Sequence, residues 1–148
     1  MISYILIGAL LTIAALFAFV KIQQMMQLWE AEKEFEQNPD AVFTIASKRA
    51  SPSGGIKAFY KYVKANLRYP LKAKDAGVEG CVFVRFIVEK DGSLSDIYVV
   101  KGIGAGCDEE AIRLVESYDS AWTPAQISGQ PARQKLVLPI FFKLEGND

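Results

Sequence analysis

The sequence predicts an α+β protein: an apolar helix at the front, then a small domain whose three-stranded antiparallel sheet is packed by two helices. Three observations predict it. Val82, Val84, Phe86 and Val88 fall on one face of an extended chain and Cys81, Phe83, Arg85 and Ile87 on the other, so this run has the period of a strand. Two apolar stripes recur at three and four residues, which is helical spacing: Ile56, Phe59, Tyr60, Val63 and Leu67, then Ala111, Ile112, Leu114 and Val115. Near the end Leu136, Leu138, Ile140, Phe142 and Leu144 alternate again as a last strand.

The first strand turns at Lys90-Asp91-Gly92, where glycine supplies the positive φ of a tight connection, and returns over Asp96 to Val100 as its antiparallel partner. The helix before it must end ahead of Tyr69-Pro70, because proline biases its predecessor away from helical geometry. Asp108 is placed to cap the second helix, which runs through Tyr118 with Glu109 and Glu110 in its first turn. Paired carboxylates there are helix-start chemistry. Trp122-Thr123-Pro124-Ala125 and Gly129-Gln130-Pro131 bracket a loop. Pro139 inside the last strand favours a sheet edge or a local bulge. The expected core is Val82, Val84, Phe86, Val88, Ile97, Val99, Ile112, Val115, Trp122, Leu136, Leu138, Ile140 and Phe142, with Phe83 and Phe141 turned outward.

Residues 1–20 contain no charged side chain and are long enough for one helix to cross a hydrocarbon core of about 30 Å. They are read as a retained transmembrane anchor. A cleaved signal peptide and a buried core helix are the alternatives, but no lysine or arginine precedes the run and no Ala-x-Ala site follows it. Gly8 with Thr12, and Ala14 with Ala18, are small residues four apart through which a second helix, and so a homodimer, could approach. Residues 21–38 continue as a membrane-proximal helix with Ile22, Met25, Met26 and Trp29 along one stripe. Residues 39–55 read as a linker and 56–148 as the globular domain.

Of the 148 residues, lysine plus arginine number 17 and aspartate plus glutamate 17, so no net field draws the chain to nucleic acid. Histidine is absent, which removes the usual general base and the commonest zinc ligand. No catalytic, metal-binding or cofactor-binding constellation emerges, and Gly102 to Gly106 lacks the spacing of a phosphate loop. Cys81 and Cys107 form either one bridge or two independent thiols.

Taken together, the motifs resemble the TonB C-terminal domain family, in a Bacteroidetes-type form. They are Tyr69-Pro70, Gly80, Val82, Val84, Phe86, Val88, Asp91-Gly92, Trp122, Pro124-Ala125, Gly129, Pro131, Leu138-Pro139, Phe142 and Leu144. The resemblance implies a non-enzymatic energy transducer of the inner membrane with its C-terminal domain in the periplasm. The charges flanking the span, taken alone, lean the other way. It further implies two partners: proton-channel motor proteins at the anchor, and an outer-membrane TonB-dependent receptor whose TonB box adds as a strand to the last strand. The expected contact residues are Arg133, Gln134, Lys135, Leu136, Val137, Leu138, Phe141 and Lys143. The alternative is a membrane-anchored structural or signalling module without motor coupling, because the span offers only Ser3, Tyr4 and Thr12 as polar groups and the spacer is short.

Overall fold

In the computed structural model residues 2–118 and 121–144 are described, residues 2–11 as backbone alone. One long helix leads the chain, α1 (Ile2–Gln37). It is followed by β1 (Val42–Phe43), β2 (Ser51–Pro52), α2 (Gly55–Asn66), α3 (Leu71–Asp75), β3 (Gly80–Val88) and β4 (Leu94–Lys101). Then come α4 (Cys107–Glu116), β5 (Trp122–Thr123), β6 (Ala125–Ile127) and β7 (Gln130–Phe142).

The predicted hairpin is β3–β4, paired antiparallel from Phe83↔Lys101 to Val88↔Leu94. Its turn is held by Asp91, whose Oδ1 accepts from the Ser93 amide at 2.9 Å and from the Ser93 hydroxyl at 2.6 Å. Gly92 has φ 83°, and a side chain there would run into the Trp122 carbonyl. Only glycine satisfies both demands. The irregular pairing between Arg85 and Ile87 and the positive φ of Asp96 mark a bulge, which increases the local twist of the hairpin.

β3 is the middle of the sheet. On its other side β7 pairs with it antiparallel in one continuous register, from Gly80↔Phe142 to Val88↔Gln134. The expectation of three strands is corrected here, for the sheet has five. β1 joins β7 parallel at Arg133 and Gln134, and β6 pairs antiparallel with the start of β7. Ser128 and Gly129, both at positive φ, close that β6–β7 hairpin as a two-residue turn. A separate antiparallel pair joins β2 to β5. These added strands are two or three residues long. A run that short carries no periodicity, and β1 meets its partner only through tertiary folding.

α2 buries Phe59 and Val63, and α4 buries Cys107, Ala111, Leu114 and Val115. Three details of α4 differ from expectation. Gly106 stands at its N-cap, while Asp108 Oδ1 accepts from the amides of Ile103 at 2.9 Å and Gly104 at 3.2 Å, so Asp108 ties down the preceding loop. The helix ends at Glu116, and Leu114 takes the buried place expected of Ile112, which lies at the flank. Ile97, Val99 and Leu138 are half-buried against the core. The other expected core residues are buried, joined by Phe35, Phe43, Phe59, Ala125, Ile127 and Ala132. Edge-on aromatic contacts organise the centre, with Trp122 5.1 Å from Phe86 and Phe59 5.2 Å from Tyr118.

Residues 39–55 are packed against the domain. They carry β1 and β2, and between these Lys48 exchanges backbone hydrogen bonds with Gln126 at 2.8 and 3.1 Å. α1 touches the domain near its end, where the Phe35 and Phe43 rings lie 5.9 Å apart. Earlier on the helix Phe17, Met25, Met26 and Trp29 are exposed. Among the described residues no helix is long and apolar enough to cross a membrane. The side chains of residues 1–11, over half of the predicted span, lie outside the described residues.

Phe86 is fully buried and Phe83, its neighbour on the opposite face, is not. Phe86→Ala should therefore cost about 3–5 kcal/mol of stability in urea unfolding. Phe83→Ala should cost less than half as much, and equal losses would mean that both faces of the sheet are packed.

Candidate functional site: the open border of the last strand

Along β7 the side chains of Gln134, Leu136, Ile140 and Phe142 turn into the core, while Val137 and Phe141 are 46% and 63% exposed. Leu138 belongs to the inward set and is half-buried. Lys135 and Pro139 complete the outward row, and Lys143 follows just beyond the strand. The expected exposure of Phe141 is observed.

Gln134 pairs with Val88 of β3 and with Phe43 of β1, so those two strands lie on opposite borders of β7. From Lys135 to Phe142, no strand among the described residues pairs with the border facing away from β3. Pro139 shows how this border is built. In an antiparallel ladder alternate residues turn both backbone groups away from the partner, and a proline at such a position removes no ladder bond. The Pro139 carbonyl accepts from the Tyr60 hydroxyl at 3.1 Å, and the β3–β7 register continues unbroken past it. Of the two readings of Pro139, the edge is realised and the bulge is not. By the same alternation Lys135, Val137 and Phe141 present their amides and carbonyls outward.

Of the expected contact set, Leu136 and Leu138 face the core, and Arg133 and Gln134 are engaged with other segments. Arg133 forms a two-point pair with Glu89, Nε to Oε2 at 2.6 Å and Nη2 to Oε1 at 2.9 Å, and its Nη1 donates to the Asp40 carbonyl at 3.0 Å. The Gln134 amide is fully buried, accepting from the Ala50 amide at 2.8 Å and donating to the Thr44 carbonyl at 3.3 Å. Lys90 adds an ion pair to Asp40 at 2.6 Å. The guanidinium of Arg133 holds the Glu89 carboxyl below its usual range, and Glu89 raises Arg133 in turn. Asp40 is lowered chiefly by its hydrogen bond from Lys90.

Tyr60 and Asp40 had no functional signal in the sequence. Tyr60 belonged to an apolar stripe, and nothing local to Asp40 points to a strand so far along the chain. On the outer face of the sheet Arg85 lies over the Tyr98 ring at 4.9 Å and pairs with Asp96 at 3.2 Å. Cys81 and Cys107 are free thiols, both raised chiefly by burial. Among the described residues no group of acidic or sulfur side chains could hold a metal ion.

Residues 65–144 match the family model described as Gram-negative bacterial TonB protein C-terminal. This chain belongs to that family. The TonB match takes in β3, β4, α4 and the whole of β7, and leaves α1, β1 and β2 outside. Solution NMR structures of the Helicobacter pylori TonB C-terminal domain are similar to it. One, of residues 179–285, is 26% identical over 62% of this chain and 82% of that one, with a TM-score of 0.47. Another, of residues 194–285, is 28% identical over 62% of this chain and 96% of that one, also with a TM-score of 0.47. The Pseudomonas aeruginosa TonB C-terminal domain is 26% identical over 55% of this chain and 81% of that one, with a TM-score of 0.42. A comparison with curated proteins found no match.

The Glu89–Arg133 pair makes stability depend on pH with a definite sign. Glu89 is depressed below its ordinary 4.5 in the folded state, so its contribution is present above that value and is lost as pH falls through the folded one. The urea midpoint of the native chain should therefore fall more steeply than that of Glu89→Gln between about pH 5 and pH 3. Parallel slopes would show that the pair adds no stability.

Proposed function

We propose that this chain is a TonB-like energy transducer of the inner membrane, anchored by residues 1–20, with its C-terminal domain in the periplasm. In this reading the anchor draws on proton-motive energy through motor proteins. The domain holds the TonB box of an outer-membrane receptor as an added strand. The observation that carries the reading is the unpaired border of β7 within the segment that matches the TonB family. A guest strand there would bond to the outward backbone groups of Val137 and Phe141 and to the Lys135 carbonyl, a contact that asks little of side-chain identity. Hydrogen bonds lying across the direction of pull share the load, which suits a site built to transmit force.

One observation favours the second reading, a tethered structural or signalling module without motor coupling. α1 has 36 residues, about 54 Å at 1.5 Å per residue, and of these only 21–37, roughly 25 Å, extend beyond the proposed span. Residues 39–55 add no free spacer because they are packed on the domain. The sheet then stands close to the inner membrane.

A TonB-box peptide titrated into the full chain in detergent should move backbone amide resonances of Lys135 to Phe142 above all others. Shifts confined to α2 and α4 would overturn strand addition. For the second reading, loss of the protein should leave receptor-dependent uptake intact while an inner-membrane partner co-purifies with it; impaired uptake decides for the transducer.

A further inference from the structure

We propose that residues 38–43 are a displaceable strap, which in the resting chain occupies the first two positions of the β7 border and yields them when α1 is drawn away from the sheet. The inference rests on the reading of β7 as the border that receives a guest strand, and it concerns how much of that border is open.

The geometry is that of a latch. β1 pairs with β7 over two residues only, Val42↔Arg133 and Phe43↔Gln134, on the border that continues unpaired from Lys135. Parallel pairing is slightly weaker per residue than the antiparallel pairing a guest can adopt. What closes the latch lies at its two ends. At one end the Asp40 carbonyl accepts from Arg133 and the Asp40 carboxylate pairs with Lys90, whose side chain is 38% exposed and that of Asp40 85% exposed. At the other, Gln134 grips the Thr44 carbonyl and the Ala50 amide from a fully buried position, so the chain beyond Phe43 is held independently of β1.

The strap is also in line with the helix that precedes it. Gln37 ends α1, the Asn38 amide still donates to the Glu34 carbonyl at 2.8 Å, and the Phe35 ring packs on Phe43. Tension along α1 therefore reaches the Asp40 contacts, then Phe43 and the two-residue ladder, together with β6, against which α1 also packs, ahead of β3 and β4. The family match begins at residue 65, so α1 and β1 both lie outside it. Peeling the strap back to the Gln134 grip extends the border from Lys135–Phe142 to Arg133–Phe142. Tyr60 blocks the Pro139 carbonyl midway along that border, so the added positions lengthen the uninterrupted stretch ahead of it.

Two measurements on the full chain in detergent test this. In the first, a TonB-box peptide is titrated into the wild type and into Phe43→Ala. A strap that competes for the border scales apparent affinity by the fraction of molecules in which it is open; with about one in ten open, the variant should bind about tenfold tighter. The Phe43 amide of the wild type, which faces β7, should lose protection from hydrogen exchange as peptide saturates. Affinities within twofold, or an amide that stays protected at saturation, would overturn the proposal. Phe35→Ala, which alters no residue of β1 or the sheet but removes the ring that packs on Phe43, serves where Phe43→Ala does not fold.

In the second, no peptide is present. The chain is pulled between α1 and Leu144 in an optical trap, and a small reversible extension should precede unfolding of the sheet. Freeing residues 38–43 releases at most about 20 Å, and the step should move to lower force in Phe35→Ala. A single unfolding event with no earlier step rules the strap out. Should the peptide bind neither protein while the early step is present, strand addition fails and the strap stands.

Discussion

The β3–β7 ladder is the interaction on which everything else in this domain depends. β3 lies between β4 and β7 and is paired on both sides, so its inward row, Val82, Val84, Phe86 and Val88, is sealed from water completely. α2 and α4 have their apolar faces only in relation to that row. A one-residue slip in the ladder would turn Leu136, Ile140 and Phe142 outward and bury Lys135 and Val137. The same register puts Pro139 at a position that turns away from β3, and so decides which border of β7 can be open at all.

That border is defended as well as exposed. An unpaired strand is a template for aggregation, and natural sheets blunt such edges with proline, lysine and covering segments. All three are present on β7: Pro139 within it, Lys135 along it and Lys143 just past it, and β1 laid over its beginning. Tyr60 covers the one carbonyl that Pro139 leaves without a neighbouring amide. The open stretch that remains is therefore short.

The helical lead meets the sheet where Phe35 packs on Phe43 and where α1 lies against β6. Burying two rings stabilises the junction, but the area is minor compared with the core around Phe59, Phe86 and Trp122. Arg133 adds a second link, its guanidinium joining Glu89, just past β3, to the Asp40 carbonyl ahead of β1. A charged pair at such a junction sets position more than it adds stability, since its partners are still partly in contact with water.

The long elements were legible in the residues because each carries its own period. β3 and β7 alternate over nine residues or more, the stripe of Phe59 and Val63 repeats at helical spacing, and Asp91-Gly92 is turn chemistry in itself. The family resemblance and the outward Phe141 followed from that information. What no local pattern could hold is the pairing of Val42–Phe43 with Arg133–Gln134, the burial of Gln134, and the exchange of roles between Ile112 and Leu114. A two-residue strand has no periodicity, a glutamine reads as a surface residue until two backbone groups converge on it, and a helix face is chosen by what packs against it. These depend on segments far apart in the chain meeting in space, so they were settled by the tertiary structure alone, whereas the β-strand and helix periods were already determined by the order of the amino acids.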